Sequence, residues 1–333
     1  MDSLNQDRIA VFSYPEKIIR KIPLAPWLAW VIFWQLLFFI DYLISWRVAE
    51  QEAHSTVFAF MILFLISICI VTIYCSQVLA KLFPQLIRFI EEDRVTLRDW
   101  YEGKLKSCYE GAWPILSGLT ISLIAVVSIF PLILQLTPAN NFLLYFRVSY
   151  LALGFLFLGI SLWALIKVAL IPMEFTRMKV KVSINQFSGN GLQALGSTFL
   201  KMSLSITVSY MFIVGAFIFS PFETNMTVLI WLGLAALLIF GFFLLPQMGI
   251  HRIMVNEKTN RMSNFTHHLE EAMDQTLKDP SVENMQRLKE LFEVQNHLKS
   301  MNDWPFNLNS IWQLLTALII PIILAAMEII FKA

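Results

Sequence analysis

Apolar residues gather into seven runs of about 20 residues or more, at 23–46, 57–80, 113–136, 142–170, 202–220, 228–248 and 308–331. As helix, each run is long enough to cross the ~30 Å hydrocarbon core of a bilayer. A lipid-embedded barrel would instead show segments of ~10 residues alternating in polarity, and the sequence contains no such series. The pattern predicts an all-α polytopic membrane protein of about seven transmembrane helices.

The intervals between the runs divide the chain further. Residues 1–22 form a polar N-terminal tail. Residues 23–250 form a six-helix membrane domain whose long connections, 81–112 and 171–201, are amphipathic. Residues 251–306 form a helical hairpin, and 307–333 hold the last span. In the first long connection a helix is expected to begin after Pro84 and to hold Phe89, Leu97, Trp100 and Leu105 against the bilayer or a neighbour. In the second, Val180, Val182 and Ile184 alternate over 179–187, which suggests a short strand. A turn follows over 187–191. The hairpin breaks at Asp279-Pro280-Ser281, with Asp279 expected as N-cap and Pro280 as first helical residue. Beyond the break Met285, Leu288, Leu291, Phe292, Val294 and Leu298 recur every three or four residues, a stripe too wide to face water alone. It is the expected cytoplasmic assembly face. No internal repeat argues for an inverted-repeat transporter.

Charge supplies the orientation. Of 25 lysines and arginines, 22 lie in the N-terminal tail and in every second connection; only Arg47, Arg147 and Lys332 fall on the other side. By the positive-inside rule the N-terminus is cytoplasmic and, with seven spans, the C-terminus is outside. Trp27, Trp30, Trp113 and Trp304 near the inner ends and Trp46 and Trp231 near the outer ones suit interfacial anchoring. The composition agrees, at 57% apolar and 15% charged against about 25% charged in soluble chains. There is no basic stripe on a soluble domain, so nucleic acid is not an expected partner. Cys69, Cys75 and Cys108 form no CxxC pair. The first apolar run is too long for a signal-peptide core, so the N-terminus is expected to be retained.

Chemistry is sparse. Nucleophilic catalysis needs a base beside its nucleophile, yet none of the five histidines lies in a run, and the runs offer only one aspartate, Asp41. There is no Walker loop and no HExxH. The chain is not expected to be an enzyme, and no cofactor is implied. His267 and His268, with Glu270, Glu271 and Asp274, resemble a metal cluster, but such residues on an exposed helix read as a solvated surface, and no metal is expected. The glycine-rich stretch 188–196 lacks the strand, helix and acid of a dinucleotide site and reads as a flexible return into the fifth span.

Ionisable groups at membrane depth carry more information, because they are costly there. Asp41, Arg147 and Glu328 all fall at the outer edge by this topology. Either Arg147 pairs with Asp41 or Glu328 to form a charged outer rim, or each head snorkels independently to headgroups. Polar and small residues line up on the third span (Ser117, Ser128, Gln135), the fourth (Arg147, Tyr150, Gly154, Ser161), the fifth (Ser203, Thr207, Tyr210) and the seventh (Asn309, Gln313, Thr316, below Pro321). Such stripes more often pack helices than line pores. The seventh is the exception of interest, because it follows directly from the hairpin.

These features lead to one expectation of function: a homo-oligomeric ion channel or pore of a plasma or bacterial inner membrane. Asn309, Gln313, Thr316 and Glu328 would line its path, and the hairpin would assemble or gate it. A membrane scaffold or signalling subunit docking a cytoplasmic protein is the alternative, and a small-solute carrier the third. The bilayer and further copies of the chain are the expected partners. An inverted seven-helix plan with a last span fed by a cytoplasmic helix is similar in outline to insect chemoreceptor channels. The Thr-Tyr…Gln-Phe signature of that family's last span is absent, Thr316 being followed by Ala317, so no residue role carries over.

Overall fold

Hydrocarbon offers no hydrogen-bond partner to a backbone, so an apolar run in lipid must close its own bonds as helix. The structure, a computed structural model, describes residues 12–49, 55–86, 93–136, 141–175, 192–218, 226–306 and 308–332, and its regular structure over these residues is helical throughout. Ten helices follow in order: α1 Tyr14–Ile19, α2 Pro26–Ala49, α3 Ser55–Leu86, α4 Arg94–Tyr109, α5 Ala112–Leu136, α6 Asn141–Phe175, α7 Leu192–Ile218, α8 Met226–Lys278, α9 Val282–Ser300 and α10 Leu308–Lys332. Six stretches are long and apolar enough to cross a membrane: α2, α3, α5 together with α4 before it, α6, α7 and α8. In α10 the apolar stretch is shorter, Ile311–Met327.

Close backbone approach holds the bundle together. The α5–α6 pairing is the most extensive, and glycine makes it so. A Cβ on Gly159 would come within 2.7 Å of the Gly118 Cα and the Ser117 carbonyl, and one on Gly118 within 2.7 Å of the Leu156 carbonyl. The two backbones touch, and the hydroxyls beside them cross the seam: Ser117 Oγ donates to the Gly159 carbonyl at 3.0 Å and Ser122 Oγ to the Ala152 carbonyl at 2.8 Å. Elsewhere Gly249 lets α8 close on the Pro172 backbone of α6, and Gly215 lets α7 accept the Phe60 ring of α3. Thr72 of α3 and Ser161 of α6 share a hydrogen bond of 2.6 Å, and Tyr210 of α7 donates to the Leu232 carbonyl of α8 at 3.3 Å. The polar stripes of the fourth and fifth spans are therefore packing surfaces, as small and hydroxyl residues favour.

At the basic end of the bundle the structure departs from the periodicity. α3 carries through Pro84 to Leu86, so Pro84 starts no new helix; a membrane helix absorbs one lost backbone bond near its end. α4 starts instead at the N-cap Asp93, whose carboxylate accepts from the Val95 and Thr96 N–H groups. Leu97, Tyr101, Leu105 and Cys108 fall on one face of α4 and are buried in a core shared with α3, α6, α7, α8 and α9, so this amphipathic helix covers protein. Phe89 and the strand expected over 179–187 lie outside the described residues. Of the glycine-rich stretch, residues 192–196 already belong to α7.

The hairpin differs too. Its first arm is no separate helix, because α8 runs unbroken for 53 residues from the sixth apolar run into the extension. The N-cap of α9 is Ser281 and not Asp279: the Ser281 hydroxyl accepts the Asn284 N–H, while the Asp279 carbonyl accepts from the Asn284 side chain. Pro280 accordingly lies before the helix.

The α5–α6 seam makes a direct test. Gly159→Leu must force the two backbones apart and should lower stability in mild detergent by about 1–3 kcal/mol. Gly233→Ala, with open space at its Cβ position, should leave the unfolding midpoint unchanged. Equal effects of the two changes would show that close approach at this seam does not matter.

Candidate functional site

Three polar constellations stand out against the apolar bundle, one near each end of it and one on α10.

The first joins α2 to α6. Arg147 Nε donates to Asp41 Oδ1 at 2.9 Å and Arg147 Nη2 to Asp41 Oδ2 at 3.3 Å, a two-pronged contact. Nη2 also donates to Ser45 Oγ at 2.8 Å, and the guanidinium lies 4.1 Å from the Phe58 ring centroid. Both charged residues are only 3% exposed. At 1.5 Å rise per residue, Asp41 sits about 12 Å from the end of α2 and Arg147 about 9 Å from the start of α6. Heads at that depth that do not reach water need each other, and the planar fork of arginine matches a carboxylate in two places. The Tyr150 hydroxyl, buried one turn along α6, has no hydrogen-bond partner among the described residues. Glu328 falls within α10, and its side chain lies outside what the structure describes.

The second constellation was hidden in the N-terminal tail. Glu16 is buried, and its carboxylate accepts from the Ser13 N–H, Ser13 Oγ, Ser76 Oγ and Gln77 Nε2 at 2.9 to 3.1 Å. Trp30 Nε1 donates to the Pro15 carbonyl, Tyr14 Oη to the Gly111 carbonyl, and Lys17 pairs with Glu110 at 2.7 Å. The Gly111 backbone has φ +93°, a conformation that suits glycine, at the turn between α4 and α5. Short helix α1 is thereby strapped across α2, α3 and the α4–α5 turn. The spacing Ser13-x-x-Glu16 is that of a capping box, which is the signal that finds this site in sequence.

The third is α10 with the segment feeding it. Leu314, Leu318, Pro321 and Ala325 form the buried face of α10 against α7 and α8. Asn309, Gln313 and Thr316 lie on the opposite, exposed face. None of the three is hydrogen-bonded to another described residue. The exposed face continues as Ile319, Ile320, Ile323, Leu324 and Met327, so polarity is confined to the first turns.

Ahead of α10, residues 301–306 are clamped onto α8. Lys258 Nζ donates to the Lys299 carbonyl at 3.1 Å, the Met301 carbonyl at 2.8 Å and Asp303 Oδ1 at 2.8 Å. A cation thus satisfies carbonyls at the C-terminal end of α9, where the helix dipole favours it. The His251 ring stacks on Trp304 at 3.9 Å and 9°, with Nδ1 2.6 Å from the Asp303 carbonyl. Gln247 Nε2 donates to the Gly196 carbonyl at 2.8 Å, and a Cβ at Gly196 would meet the Pro305 carbonyl at 2.8 Å. The hairpin, α7 and the base of α10 are one mechanical unit.

The expected assembly face on α9 is mostly open. Met285, Phe292 and Val294 are exposed, and Leu288 and Leu291 half-buried. Leu298 is the correction: it is buried within the same chain, in the core with α4, α6 and α8, and it cannot contact a partner without unpacking that core. His267, His268 and Glu271 converge on the exposed side of α8. Comparison with other proteins adds nothing to this geometry, since no family model, curated protein or solved structure matches the chain.

Removing one member of a buried ion pair strands the other, at a cost of about 3–5 kcal/mol, whereas replacing both by apolar groups is often neutral. Arg147→Met alone should therefore destabilise the protein strongly, and the double change Asp41→Leu with Arg147→Met should recover most of the loss in a detergent unfolding assay. A double variant as unstable as the single would show that the two charges do not depend on each other. At the clamp, Lys258→Met removes a charged donor whose bonds are worth about 1.5–3 kcal/mol each. Amide hydrogen exchange over 301–306 should rise by about tenfold or more, with exchange in α5 unchanged.

Proposed function

We propose that this protein is a seven-span membrane channel, with its N-terminus cytoplasmic and its C-terminus outside, assembled from several copies so that α10 of each faces a shared aqueous path. The observation that carries this reading is the exposed polar face of α10. Arg147 with Asp41, Thr72 with Ser161, and Ser117, Ser122 and Tyr210 with backbone carbonyls find partners inside the chain. Asn309, Gln313 and Thr316 are exposed, and their side chains have no hydrogen-bond partner among the described residues. A glutamine facing lipid is unfavourable, so that side calls for water or for a neighbouring copy, and a ring of α10 helices supplies both. Glu328, further along α10, would place a carboxylate at the outer mouth. A ring of carboxylates there would favour cations.

The hairpin gives the assembly its second contact. Exposed Met285, Phe292 and Val294 on α9 lie on the arm whose end is clamped through Lys258 and His251 to the base of α10. Association of hairpins would bring the α10 helices together, and any movement of the hairpin would reach them through 301–306. The same stripe also favours the alternative, a scaffold that docks a cytoplasmic protein without permeation; ion flux separates the two.

Purified protein reconstituted in liposomes should conduct cations, and Gln313→Leu should reduce flux at least severalfold without changing the oligomer. A monomer in mild detergent, or flux no greater than that of empty liposomes, would sink the channel reading. Orientation has a separate check. A cysteine at Asn141 should react with an impermeant reagent from outside and one at Ser263 only from inside. The native cysteines are all buried, so the background is low.

A further inference from the structure

Helix α8 beyond the membrane segment turns one face to α9 and leaves the opposite one free. Leu269 and Ala272 are buried on the α9 side. His267, His268, Glu271 and Asp274 are all exposed. On this exposed surface two imidazoles converge on a single carboxylate. His267 Nδ1 lies 3.4 Å from Glu271 Oε1, and His268 Nδ1 lies 3.6 Å from Glu271 Oε2. One ligand atom from each of the three residues falls within 4.8 Å of the others.

Those separations have a chemical meaning. An ion held tetrahedrally by nitrogen and oxygen ligands at 2.0–2.2 Å has ligand–ligand edges of about 3.4 Å. Each imidazole nitrogen already lies near that distance from its own oxygen of Glu271, and rotation of these exposed side chains would close the set around one ion. Helical backbone fixes the spacing: His267 and Glu271 are one turn apart at i,i+4, and His268 reaches the same carboxylate from i,i+3. Asp274, a further turn along the free face, offers another carboxylate to a ligand or to a bound water.

We infer that His267, His268 and Glu271 form a binding site for a single borderline transition-metal ion of the zinc class on the extension of α8. Two imidazole nitrogens with one carboxylate select Zn²⁺, Cu²⁺, Ni²⁺ or Co²⁺ over Mg²⁺ and Ca²⁺, which prefer sites built wholly of oxygen. Three protein ligands leave at least one position open for water, for Asp274 or for a group from another molecule. The site does not rest on the channel reading, and neither falls with the other.

The test uses full-length, tag-free protein in detergent, stripped with a chelator and then titrated with Zn²⁺ by calorimetry and with Co²⁺ by optical spectroscopy. One equivalent of Zn²⁺ should bind, Co²⁺ should show tetrahedral ligand-field bands, and a large excess of Mg²⁺ should displace neither. The double change His267→Ala, His268→Ala should abolish binding. Glu271→Gln should weaken it by about tenfold, and His297→Ala should leave it intact. All the altered side chains point away from the core, so helix content by circular dichroism should be the same in every variant. Absence of Zn²⁺ binding to the unaltered protein, or undiminished binding in the double variant with native helix content, would overturn the assignment.

Discussion

Hydrocarbon offers a polar group nothing to bond to, and the arrangement of this molecule follows from that one constraint. Each apolar run becomes helix because its backbone must satisfy itself, and each polar side chain on such a run must then find a partner across a helix seam. Thr72 finds Ser161, Ser117 and Ser122 find carbonyls of α6, Tyr210 finds one of α8, and Arg147 finds Asp41. These contacts fix which helices are neighbours and in what rotation. The apolar surface alone would leave both loose, since lipid tails wet any face of a helix equally well.

The ion pair matters most where packing is thinnest. Much of α2 faces outward, with Trp27, Ile32, Leu36, Phe39, Tyr42, Leu43 and Trp46 exposed. Trp30 and Trp34 are buried in the half nearer its start, while Asp41 is the buried residue among the described side chains of its far half. A two-pronged salt bridge there, closed by Ser45 and the Phe58 ring, sets the position of α2 against α6. At the other end α1 is held through Glu16, whose carboxylate accepts from four hydrogen-bond donors.

Both devices tie polar groups of the bundle to one another, and α10 contrasts with them. That helix packs on α7 and α8, presents amides and a hydroxyl that have no partner among the described residues on its exposed side, and is tied at its base to a long lever built from α8 and α9. The functional proposal rests there, and the metal site lies on the same arm.

Much of this was legible before any coordinates. Run length determined the helical multipass membrane class, because hydrophobic thickness acts on sequence directly. Sequence could also name Asp41 and Arg147 as misfits and Asn309, Gln313 and Thr316 as a face. It could not say that Arg147 turns to Asp41, that the serine stripes of the other spans close on backbone carbonyls, or that Leu298 is spent inside the monomer. Nor could it show that α8 continues unbroken into the hairpin, since a charged extension and a loop have similar composition. Those facts depend on which helices are neighbours and how each is rotated about its axis. A run that is apolar all round carries no such information, so only the tertiary structure, through glycine clearances and a few polar contacts, decided them.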